Sequence, residues 1–162
     1  MQDSTTAHFP VTAVLLRKPS QNRWLKISWQ LLGFLPGLDE STLQQAASEG
    51  ELMYLTHLQF ELHKLHCDAY YHNLMSGRPK AYLICSQEND TLAPILATVD
   101  FDEAASFMET DEVVLDAPLP DALCVWLEHF VVAHYQPKRP KKRRRHKWHD
   151  ADKGEANEPG TR

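Results

Sequence analysis

The sequence predicts an α+β domain: a mainly antiparallel sheet of five to six strands with two to three helices, followed by a disordered basic C-terminal tail. Three observations carry this expectation. The early segments alternate apolar and polar residues at period two, the mark of half-buried strands. Stripes at helical spacing are interspersed among the later strands. Strands and helices do not alternate as a doubly wound parallel sheet requires, and no internal repeat is present.

Residues 11–18 are β-branched and apolar, and Pro19-Ser20-Gln21-Asn22 reads as a turn. Leu25, Ile27, Trp29 and Leu31 then share one strand face, with Lys26, Ser28 and Gln30 on the other, until Pro36-Gly37 ends the hairpin. Residues 39–50 form a polar insert with one short helix closed by Gly50. A long third strand places Leu52, Tyr54, Thr56, Leu58, Phe60 and Leu62 on one face. His57, Gln59, Glu61 and His63 lie on the opposite face, which the pattern makes wet.

Cys67, Tyr70, Tyr71 and Leu74 stand at i, i+3, i+4 and i+7 and predict a helix, with Gly77 at the C-terminal cap position and Pro79 blocking its continuation. Ala81–Cys85 and Pro94–Val99 read as strands joined at Glu88-Asn89-Asp90. Asp100, with Glu103 three residues on, signals a capped short helix whose apolar members are Ala104, Phe107 and Met108. Glu112–Leu115 is a last short strand. The final helix follows Pro120-Asp121, has Leu123, Trp126, Leu127 and Phe130 on one stripe, and stops at Pro137. The domain is therefore residues 1–136 and the tail residues 137–162.

Charge divides the chain at the same place. Residues 1–137 hold seven Lys and Arg against eighteen Asp and Glu, a net charge of −11. The tail holds eight cations in ten positions: Lys138, Arg139, Lys141, Lys142, Arg143, Arg144, Arg145 and Lys147. Such a run suits a polyanion. It could meet nucleic acid phosphates with release of counterions, with stacking by Trp148, or an acidic protein surface, or serve only as a solubilising extension. The acidic body opposes tight nucleic-acid binding by the whole domain.

The three cysteines, Cys67, Cys85 and Cys124, are too sparse for a disulfide framework and read as small buried apolar groups. The N-terminus has no basic start or apolar run, and no stretch of about 18 apolar residues occurs, so no signal peptide or membrane span is expected and the cytoplasm is the economical location.

Chemistry is harder to find. His57, His63, His66 and His72 cluster with Cys67, but Cys67 and His72 stand about 140° apart around a helix, which does not suit one ion. Surface or capping histidines and no metal are the expectation. Cys67 in the first turn of a helix has a route to a lowered thiol pKa, although its place on the apolar stripe favours burial. The carboxylates Glu109, Asp111 and Glu112 read as a solvated face, and no Gly-rich phosphate loop is present, so no cofactor and no catalytic residue are assigned. Arg78, between a helix end and a strand, can bind a carboxylate or phosphate or pair with a local acid.

One set of segments resembles a known family. It comprises Arg17-Lys18-Pro19, Asn22-Arg23-Trp24 with Trp29, Leu32-Gly33-Phe34-Leu35-Pro36-Gly37, and above all Phe60-Glu61-Leu62-His63 through Asp68-Ala69-Tyr70-Tyr71-His72-Asn73-Leu74-Met75-Ser76-Gly77-Arg78-Pro79-Lys80-Ala81-Tyr82. Asp121-Ala122-Leu123 and the basic tail complete it. Over about residues 11–145 the chain is similar to a proteobacterial family of small proteins of unknown function, often encoded beside molybdenum-dependent formate dehydrogenase genes. The resemblance implies an accessory or maturation role toward a formate dehydrogenase subunit or maturation factor. A name suggesting molybdenum-cofactor guanylylation, carried by some members, does not fit a chain without a Gly-rich nucleotide loop. The resulting expectation is a non-enzymatic partner-binding protein using His57, Gln59, Glu61, His63 and Arg78, with the tail reinforcing the encounter. The alternatives are a nucleic-acid-binding regulator working through the tail and a small-ligand enzyme.

Overall fold

Two apolar runs organise the structure, Ala13–Leu16 and Ala81–Cys85, because each is buried on both faces. Continuous apolar runs of this length are what a strand covered on both sides requires. A computed structural model describes residues 6–137. Within them the order is β1 (Thr6–Pro19), β2 (Ile27–Leu35), α1 (Glu40–Glu49), β3 (Glu51–His63), a 3-10 turn (Lys64–His66), α2 (Cys67–Met75), β4 (Lys80–Glu88), β5 (Thr91–Thr98), α3 (Phe101–Met108), β6 (Val113–Pro118) and α4 (Asp121–His134). The α+β class and the antiparallel pairing agree with the sequence reading. The single sheet does not: the six strands form two three-stranded sheets, β2-β1-β3 and β5-β4-β6, and there are four helices rather than two to three.

The runs found buried on both faces belong to β1 and β4, the central strands of the two sheets. β2 lies beside β6 and β3 beside β5, so the sheets meet at both margins and enclose one core. Val11, Ala13 and Leu15 of β1 share that core with Ala81, Leu83 and Cys85 of β4. Cys67 and Tyr70 of α2, and Leu123, Leu127 and Phe130 of α4, complete it. α1 lies against β1 and β3, and α3 covers the other sheet through Ala104 and Phe107 packed on Tyr82 and Ile84.

The helix ends follow the chemistry of the sequence. Asp39 accepts from the Thr42 N–H at 2.7 Å to start α1, and the Gly50 N–H returns to the Ala46 carbonyl to close it. Gly77 takes a φ of +79° after α2, a conformation that costs a residue with a Cβ. The α4 stripe buries Leu123, Leu127, Phe130 and Val131, while Trp126 is half-buried and packs on Phe9 at 5.2 Å.

Three bulges interrupt the strands, and the one in β3 explains where an expected face fails. In β2, Val14 pairs with Gly33 and Leu15 with Leu31, leaving Leu32 extra. In β5, Ile84 pairs with Leu96 and Cys85 with Pro94, leaving Ile95 extra and exposed. In β3, Val11 pairs with Leu58 and Ala13 with Leu55, so Thr56 and His57 together oppose Thr12. A one-residue slip reverses every later side chain. Met53 and Leu55 therefore face the core before the β3 bulge, and Leu58, Phe60 and Leu62 after it. The single apolar face expected for Leu52 through Leu62 is corrected accordingly, and Tyr54 is left 48% exposed. Leu25 precedes β2 and is exposed, and Met108 is exposed at the end of α3, so neither joins the stripe assigned to it.

His57 sits in the β3 bulge with φ +63°, in the left-handed region that a β-branched side chain resists. His57→Val is expected to cost about 1–2 kcal/mol, and His57→Asn less than about 0.5 kcal/mol, in urea unfolding. Burial also raises two ionisable core groups, the Cys85 thiol to about 11 and the Tyr70 phenol to about 12. Both stay neutral in the fold while their unfolded counterparts ionise from pH 9 and 10 upward. Their stabilising effect is thus complete below pH 9 and falls as pH rises toward 11 and 12. The urea midpoint should fall over that window, and less steeply in Tyr70→Phe combined with Cys85→Ala.

Candidate functional site

α1 covers only part of the sheet β2-β1-β3, where Val14 and Leu16 are buried. Toward the start of β1 no described element covers the outer face. There the antiparallel register sets His8 beside Glu61, Pro10 beside Gln59, and Thr6 beside His63. His8, Pro10, Gln59 and Glu61 are exposed, as is His57 at the bulge, and His63 is half-buried. The His63 Nε2 lies 3.2 Å from the Glu61 Oε1, and the His63 backbone N–H donates to the buried Tyr70 hydroxyl at 3.0 Å. The result is a two-stranded polar platform on the face of the sheet.

Beyond its end, the His66 ring stands 5.6 Å from the His63 ring. His66 Nδ1 is 2.9 Å from Asp100 Oδ2, and Asp100 is only 4% exposed. The other Asp100 oxygen accepts from the backbone N–H groups of Asp102 and Glu103 at the start of α3. The capping signal read at Asp100 and Glu103 is present in a relayed form: Thr98 Oγ1 donates to the Glu103 carboxylate at 2.7 Å and accepts from the Asp100 N–H at 3.0 Å. Asp100 thus serves as helix cap and imidazole partner together, a link that sequence spacing could not show across 34 positions. Among the described residues no group of three or more His, Cys, Asp or Glu is placed to hold a metal ion. Cys67 is buried at the head of α2, where burial and the neighbouring Asp68 push its thiol up, against the lowering that a helix N-terminus gives.

Arg78 lies apart from the β3 residues, on the loop between α2 and β4. It lines an open cavity of about 490 Å³ that none of the β3 residues borders. The other walls are His72 and Asn73 of α2, Lys80 and Tyr82 of β4, and Phe101 and Asp102 of α3. Asn73 fixes this arrangement: its amide donates to the carbonyls of Lys80 at 2.8 Å and Val99 at 3.0 Å and accepts from the Lys80 N–H at 2.9 Å. The Pro79 carbonyl takes the Leu119 N–H at 2.8 Å, which anchors the Arg78 loop from the other side. The sequence reading reached Arg78 but not Asn73, Tyr82 or Phe101, whose convergence depends on sheet topology. The eight cations from Lys138 to Lys147 lie outside the described residues. Among the described residues no helix is long and apolar enough to cross a membrane.

Asp100→Ala removes two helix-capping bonds and leaves His66 without its partner, so it is expected to cost about 2–3 kcal/mol in urea unfolding. His66→Ala, at a half-exposed position, should cost less than about 1 kcal/mol.

Comparison with curated proteins gives no match, nor does comparison with solved structures. A family model described as a protein of unknown function, DUF3305, matches residues 10–145. That span takes in every strand and helix after the first four residues of β1, and the chain belongs to the DUF3305 family.

Proposed function

We propose that this protein is a non-enzymatic accessory protein of the cytoplasm that docks on a subunit or maturation factor of a molybdenum-dependent formate dehydrogenase. The observation that supports this reading is the outer face formed by β1 and β3, which no described element covers, with His8, Gln59, Glu61 and His63 in register. A sheet face buries its backbone polar groups in its own ladders, so what it offers a partner is side chains alone. Here these are imidazole, amide and carboxylate groups, each able to exchange hydrogen bonds, as in the polar contacts of a non-obligate interface. The cationic run from Lys138 to Lys147 adds long-range attraction to an acidic partner, which speeds encounter and weakens with salt.

Affinity purification of the tagged full-length chain from cells assembling formate dehydrogenase should recover a subunit or a maturation factor. Gln59→Ala combined with Glu61→Lys should reduce recovery about tenfold or more, and truncation after Gln136 should make it sensitive to moderate salt. Recovery of neither protein defeats the proposal. Recovery that nuclease treatment abolishes would favour instead a nucleic-acid-binding regulator acting through the basic run.

A further inference from the structure

The cavity between α2, β4 and α3 holds three features that docking through the sheet face does not use. The Arg78 guanidinium forms no ion pair or hydrogen bond among the described residues. The Tyr82 ring is packed against α3, and its hydroxyl forms no hydrogen bond among the described residues. Burial and the nearby Asp116 push that phenol up, which keeps it a donor. Phe101 is 51% exposed at the start of α3, with its ring 5.9 Å from that of Tyr82. A permanent cation, an unpaired phenol donor and an apolar wall thus border one volume of about 490 Å³, within the range of small-molecule sites.

The local charge selects among anions. His72 aside, Arg78 and Lys80 supply two positive charges against one from Asp102, and Lys80 is also 3.7 Å from Asp116. A dianion such as a phosphate ester would meet Asp102 with at most one spare positive charge to offset it. A monoanion asks for no more than that. The guanidinium fork fits a carboxylate through two parallel hydrogen bonds, and Phe101 with Tyr82 offers an aromatic surface for a flat apolar group.

We propose that this cavity binds a small monocarboxylate carrying a planar ring, its carboxylate held by Arg78 and the Tyr82 hydroxyl and its ring lying against Phe101. The claim is independent of the accessory role: the chain could dock without the ligand, and bind the ligand without docking.

The test is an amide NMR titration of the full chain with phenylacetate, benzoate and indole-3-acetate, with phenyl phosphate and inorganic phosphate as comparators. At least one ring carboxylate should produce saturable shifts at Arg78, Lys80, Tyr82 and Phe101. Arg78→Ala should raise its Kd about tenfold or more with thermal unfolding unchanged, because that side chain is exposed, and Phe101→Ala should raise it several-fold while the chain stays folded. Tyr82→Phe, which keeps the ring and removes the donor, should also weaken binding. Absence of saturable shifts with all three carboxylates overturns the proposal. So does an unchanged Kd in Arg78→Ala, or tighter binding of phenyl phosphate than of any ring carboxylate.

Discussion

Keeping both faces of β1 and β4 from water is the constraint on which the rest of the molecule depends. A three-stranded sheet with a buried central strand needs a layer on each side. The sheets supply one layer for each other, and α1 and α3 supply the outer ones. α2 and α4 complete the shared core through Tyr70 and Phe130, whose rings meet at 6.1 Å. The coverage is incomplete, since α1 does not cover the start of β1 and α3 leaves Phe101 half in solvent. Both candidate surfaces arise at those places.

The polar connections are concentrated where β3, β5 and the helices meet. Thr98, Asp100 and Glu103 form one chain of hydrogen bonds, and Asp100 extends it to His66. Asn73 draws the ends of β4 and β5 together by bonding to Lys80 and Val99. A buried carboxylate and a triply bonded amide are tolerated because every polar group in them finds a partner. These two side chains set the position of α3 relative to α2, and thereby the shape of the space between them.

The sequence showed what depends on local pattern. Runs such as Ala81–Cys85, the cap at Asp100, the turn at Asn89 and the stripe on α4 each reflect neighbours within a few positions. It did not show the bulges. Thr56 and His57 carry no turn residue that would announce an extra position, and β3 was therefore read as one unbroken alternation. The division into two sheets was hidden for a related reason, because strand composition reports burial and not which strand is adjacent. Asn73 and Phe101 are unremarkable in one dimension, and they gain meaning only once β4 and α3 fold beside α2.

The irregular strands have a further consequence. The bulges fall on β2, β3 and β5, which are outer strands of their sheets, and β5 also carries Pro94 opposite Cys85. A kinked margin with a missing N–H donor is a poor template for a foreign strand. Lateral polymerisation by strand addition is thereby discouraged, and neighbouring molecules are left to meet this protein through the broad sides of its sheets.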